Sequence, residues 1–149
     1  MIPTWWTPER VELLEAEADR WRGTPFAPNS QSVGQGVSCH TLASALYAAG
    51  GFGELDIPNV PIAHARFSTT SFVLAWFAGR ADFVQVDPFD KLLPGDVLGF
   101  AIGKCVHHLG IVLPERRFAH AIEGIGATVA TLDDATWTSR LNNAWRPKP

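Results

Sequence analysis

The chain has 149 residues, of which 46% are hydrophobic and 18% charged, with a formal net charge of -3. That length fits one domain able to bury roughly 70% of the surface its unfolded chain exposes, and so apolar a composition excludes a disordered chain. The net negative charge, with no Lys/Arg run longer than Arg116-Arg117, argues against nucleic acid as a partner, and no segment approaches the ~20 apolar residues that span a bilayer.

The residues from Met1 to Pro8 lack the basic start and apolar stretch of a signal peptide, so a soluble chain with no export signal of its own is expected, cytoplasmic or virion-associated. Thr7-Pro8 reads as an N-cap followed by proline at the first helical position, and Val11, Leu14, Ala18 and Trp21 recur at helical spacing. The first helix is therefore expected from Pro8 to about Arg22, ending at Gly23, with Thr24 to Ser30 as a proline-rich surface loop. From Ser38 the helical period returns: Leu42, Ala43, Leu46 and Tyr47 share a stripe, and Gly50-Gly51 supplies a left-handed stop. The stretch from Gly51 to His64 reads as a connection, and Thr69 to Ala78 as a third helix packing Phe72, Trp76 and Phe77 inward.

The second half changes period. Short β-rich runs at Asp82-Val86, Asp96-Ile102, Val106-Leu113, Arg117-Glu123 and Ala127-Leu132 are separated by turn residues and predict an antiparallel meander. Asp133 to Asn143 is expected to close as a short helix with Trp137 and Leu141 facing in. Helices first and strands second give an α+β fold, and no repeat or composition break divides the single domain 1–149.

The sharpest chemical signal is Gly34-Gln35-Gly36-Val37-Ser38-Cys39, two glycines and then a cysteine opening an amphipathic helix. A thiol there feels the positive end of the helix dipole, and a neighbouring imidazolium can take its pKa from about 8.5 to between ~3.5 and ~7.5. Read alone, Cys39 is more readily a small buried apolar residue, the usual fate of a free cysteine. The histidines shift that balance. If Pro114-Glu115-Arg116 is a three-residue loop, Leu113 pairs with Arg117, Gly110 faces His120, and His108 lies one diagonal step away on the same face. His108 can then take the thiol proton while His120 holds its far nitrogen.

The other candidates carry less. His40 either lines a subsite or faces solvent, with solvent or a second-layer position favoured; His107 points away from His108 and reads as structural or exposed; His64 reads as a surface residue. A Cys39–Cys105 disulfide is not expected in a chain without an export signal. Cys105-x-His107 is not a chelating spacing, so no metal and no cofactor is expected. Asp96, in Pro94-Gly95-Asp96, reads as turn chemistry.

These residues also carry a resemblance. Gly23-Thr24-Pro25-Phe26, Gly36-Val37-Ser38-Cys39, Pro94-Gly95-Asp96, His108-Leu109-Gly110-Ile111 and Phe118-Ala119-His120-Ala121, in this order, resemble the motifs of the NlpC-type cell-wall peptidases of the papain-like superfamily. The five matches run over about two thirds of the chain; each is weak alone, and together they are fairly specific. The resemblance implies a papain-like fold, Cys39 as nucleophile, His108 as base, His120 as third polar residue, and hydrolysis of an amide bond in peptidoglycan stem peptides. It also implies that Phe26, Ser38, His40 and Gly110 lie on the substrate side. The segment from Gln31 to Gly36 and the lack of a wall-binding repeat look like the stand-alone phage or prophage branch, which implies a phage tail or virion component as a possible partner beside a peptidoglycan fragment or small peptide. Three positions depart from the family pattern, which commonly has tyrosine at Phe26, aspartate at Ser38 and serine at His40. They motivate an alternative, a degenerate relative that binds without cutting.

Overall fold

The structure is a computed structural model that describes residues 1–58 and 70–149. Helix α1 covers Pro8–Trp21, with the Thr7 side chain accepting from the Arg10 N–H at its start. A two-stranded hairpin, β1 (Gln31–Ser32) with β2 (Gly36–Val37), leads into α2 (Cys39–Ala49), and a short α3 (Phe72–Ala78) follows. The strands β3 (Phe83–Val86), β4 (Val97–Ile102), β5 (Cys105–Leu113), β6 (Arg117–Ile122) and β7 (Gly126–Thr131) come next, then a single-turn helix α4 (Ala135–Thr138) and β8 (Leu141–Pro147). His64 lies outside the described residues.

One antiparallel sheet is ordered β3-β8-β4-β5-β6-β7. The helices-then-strands expectation and the five β-rich runs hold, and β4 to β7 form the meander. The region from Asp133 to Asn143 corrects the reading: only Ala135–Thr138 is helical, and Leu141 begins a strand inserted between β3 and β4. Helical spacing over so few residues cannot be told from strand alternation, and Leu141, Ala144, Trp145 and Arg146 are buried from both faces of a central strand, which erases the alternation. The third helix is likewise corrected. Val73 and Phe77 face the core, while Phe72 is 38% exposed.

Two apolar layers hold the sheet. On one side α1 and α2 pack Leu14, Ala18, Leu42 and Leu46 against Leu109, Ile111, Ala119 and Ala121. On the other, Leu98, Phe100, Val112, Phe118 and Leu141 form a second cluster, with Trp137 packed on it. All nine residues of β5 are buried as a result. The turn into β4 holds Gly95, whose φ of +92° suits glycine and whose missing Cβ leaves room for the Trp6 ring.

Candidate active site

Cys39 is the first residue of α2, because Ser38 caps the helix. The Ser38 side chain accepts from the Thr41 N–H while the Ser38 N–H donates to Thr41 Oγ1 at 2.8 Å, a reciprocal capping box. Thr41 Oγ1 also donates to the Ser30 carbonyl at 2.6 Å, which ties the helix start to the loop before it. Ser38, expected on the substrate side, is 2% exposed and occupied by this cap. Phe26 is half-buried, bridged to Val37 and packed against the main core.

The β5–β6 hairpin has the expected register. Leu113 pairs with Arg117, Val112 with Phe118 and Ile111 with Ala119, where the paired register ends one residue short of Gly110 and His120. The two imidazoles meet, His108 Nε2 lying 2.9 Å from His120 Nδ1. Gly110 is a glycine for a packing reason. A Cβ there would stand 2.8 Å from the Phe118 ring and 3.3 Å from Phe100, so this glycine makes room for the aromatics beside the histidines. Phe100, Phe118 and Trp137 surround the pair, with Trp137 stacked 5.0 Å from His108 and edge-on to His120 at 4.7 Å.

His40 is the largest departure from expectation. It does not face solvent: it is 2% exposed, with Nδ1 2.9 Å from the Pro58 carbonyl oxygen and Nε2 2.8 Å from that of His107. Strand alternation sends His107 away from His108, as expected, but the ring is buried and lies 5.0 Å from His40, centroid to centroid. Sequence spacing gives no hint of this contact, since it joins a helix start to a strand 67 residues on.

Electrostatics single out Cys39. Burial pushes its thiol up, but the charge of His40, hydrogen bonds to His108 and His40, and the charge of His108 outweigh that and hold it well below the ordinary thiol value. His120 is driven the other way: burial, and then the charge of His108, lower its pKa to about 3, so it is neutral at pH 7. Its Nε2 has no partner among the described residues. Both cysteines are free and buried, and the Cys105 thiol donates to the Thr70 carbonyl at 3.3 Å. An open cleft of about 490 Å³ beside β6 and β7 is lined by His120, Ile125, Thr128 and Trp137; Cys39, His40 and His108 do not line it.

Asp96 does more than turn the chain. It accepts from the Leu93 N–H at 2.8 Å and takes two hydrogen bonds from Arg146, at 2.9 and 2.8 Å, with both side chains buried. Arg146 was not singled out by its sequence setting, Trp145-Arg146-Pro147, where nothing distinguishes it from a surface arginine.

Neither a family model nor a curated protein matches the chain. Solved structures match in fold. An NLP/P60-family protein from Staphylococcus aureus, described as similar to a lipoprotein, superposes with a TM-score of 0.69 at 23% identity, over 99% of this chain and 44% of that one. The NlpC/p60 domain of the peptidoglycan hydrolase SagA gives a TM-score of 0.58 at 16% identity, over 90% of this chain and 96% of that domain. RipD from Mycobacterium tuberculosis, described as a non-catalytic NlpC/p60 domain protein adapted to peptidoglycan binding, gives 0.56 at 12% identity, over 94% and 98%. At these identities the likeness is one of fold: the chain has the papain-like α+β fold of NlpC/P60 domains. It spans less than half of the Staphylococcus aureus protein.

Proposed function

We propose that the chain is a cysteine-dependent amidohydrolase that cuts an amide bond in peptidoglycan stem peptides or related small peptides. The observation that carries the reading is the depressed thiol of Cys39 at a capped helix start, with His108 acting on it and His120 behind His108. In this reading the Cys39 sulfur attacks the substrate carbonyl carbon. The carbon–nitrogen bond breaks as His108 gives a proton to the leaving amine. Water then attacks the thioester, its proton returns to His108, and the peptide acid leaves. The N–H groups of Cys39 and His40, which open α2 and have no carbonyl four residues back to take them, are placed to stabilise the oxyanion.

The substrate class rests on the fold neighbours, which include peptidoglycan hydrolases and a peptidoglycan-binding domain. No observation speaks for a phage or virion partner, and none is proposed. Binding without cutting is the second reading, favoured by the match to RipD. One experiment separates the two: purified peptidoglycan is incubated with the protein and with its Cys39→Ala and His108→Ala variants, and soluble fragments are measured. Release by the unaltered protein alone is expected. Binding of the wall with no fragments from any of the three would leave the non-catalytic reading in place.

A further inference from the structure

The two nitrogens of the His40 ring both face backbone carbonyl oxygens, at 2.9 Å from Pro58 and 2.8 Å from His107. A carbonyl oxygen only accepts, and a neutral imidazole has one N–H. Whichever tautomer a neutral ring took, its bare nitrogen would turn a lone pair on a carbonyl lone pair, on a ring that is itself 2% exposed. Only the doubly protonated ring satisfies both contacts. The sequence neighbour of that ring is Cys39.

We propose that His40 is a standing imidazolium that holds Cys39 as a thiolate, which makes it a positioning residue for the nucleophile and removes it from the surface that reads substrate. The proposal rests on the reading of Cys39 as nucleophile and adds a second cation to it. With one imidazole beside a cysteine, deprotonating that imidazole removes the charge that keeps the sulfur ionised. Here the backbone fixes a second charge that His108 does not have to supply. His108 is then free to serve the leaving amine.

The surrounding groups fit that assignment. From its own helix the ring faces Cys39; from β5 it faces His107, while His108 acts on the same sulfur; from β6 His120 stands behind His108; and the 55–58 segment contributes a carbonyl. Burial pushes the His40 pKa down, but the charge of Cys39, a hydrogen bond to it and the two carbonyls raise it to about 9. Because each ring N–H already has a carbonyl close by, the ring reaches the sulfur through charge, with at most a shared hydrogen bond. The order of the influences on Cys39 agrees: after burial, the charge of His40 comes first.

The test is the pH profile of Cys39 alkylation by iodoacetamide, from pH 4 to 10, in the unaltered protein and in His40→Gln, with circular dichroism to confirm that the variant is folded. Glutamine keeps a donor and loses the charge. The midpoint of the acid limb is expected to rise by at least about one pH unit in the variant, a tenfold loss of thiolate on the acid side. Nitrogen-15 NMR of the unaltered protein is expected to show both His40 nitrogens protonated at pH 7, which decides the matter even if the variant does not fold. A low midpoint unmoved by His40→Gln in a folded protein, or a His40 ring that carries one proton at pH 7, overturns this proposal alone. A wild-type midpoint in the ordinary thiol range overturns it together with the nucleophile reading.

Discussion

The imidazoles of His108 and His120 meet nitrogen to nitrogen, 2.9 Å apart. One of the two must donate and the other accept, so the protonation of either ring is legible in the other. His120 is neutral at pH 7 and its remaining nitrogen is buried. It can therefore orient His108 without exchanging protons with solvent.

Removing that contact should loosen His108 and leave the sulfur's own environment in place. On the proposed reading of His108 as the base, we expect kcat for peptide hydrolysis to fall on the order of 10- to 100-fold in His120→Ala with KM changed less, because a base displaced by about an ångström loses its geometry. Steady-state kinetics on a soluble stem peptide check it. An equal kcat in the two proteins would mean that His120 is only packing.

The low pKa of His120 is also a statement about stability. Unfolded, this ring takes up a proton near pH 6.5; folded, it does so only near pH 3, because of burial and then the charge of His108. Its folded pKa is depressed, so the unfolded state binds the extra proton, and the contribution to stability is full above 6.5 and lost as pH falls from 6.5 towards 3. Within that window the group contributes a slope of about 1.4 kcal/mol per pH unit. His40 has the opposite sign: raised to about 9, it contributes fully below 6.5 and less as pH rises from 6.5 to 9. Urea denaturation across this range should show a fall below pH 6.5 that is shallower in His120→Asn, and identical slopes would be evidence that the ring is not held neutral.

The buried pair of Asp96 and Arg146 should govern folding. Arg146→Leu strands a carboxylate at the start of β4 and removes the donors to the Ile2 and Lys91 carbonyls. Breaking one partner of such a pair costs about 3–5 kcal/mol, whereas replacing both with apolar residues of similar volume can be nearly neutral. Thermal melts should therefore rank the Asp96→Leu/Arg146→Met double variant above Arg146→Leu. A single variant within about 1 kcal/mol of the unaltered protein would show that the pair is solvated.

Most of the fold was legible because its signals are local. Thr7-Pro8, Ser38 and Gly51 mark helix ends through backbone chemistry, and Pro114-Glu115-Arg116 sets the register that brings His108 to His120. What was not legible depends on partners distant in sequence. His40 is bonded to residues 18 and 67 positions away, so helical spacing alone could not tell its buried setting from an exposed one. That Phe100 and Phe118 turn their rings toward Gly110 could not be read either, since neither ring's direction is set by its neighbours in sequence. Arg146 and β8 were missed together, since a strand buried on both faces shows no alternation and an arginine paired in a core looks like any other arginine.

Strand β8 follows β3 to β7 in chain order, yet it lies between β3 and β4 and is the neighbour through which β3 is held. Synthesis delivers the thiol, both meander histidines and their aromatic surround before it delivers residues 141–147. Until then β3 has no edge to join and β4 presents a bare one, so a chain interrupted before Leu141 would display an unpaired apolar ladder to its neighbours. The scaffold that carries Cys39 and the two histidines is therefore closed only when residues 141–147 enter between β3 and β4.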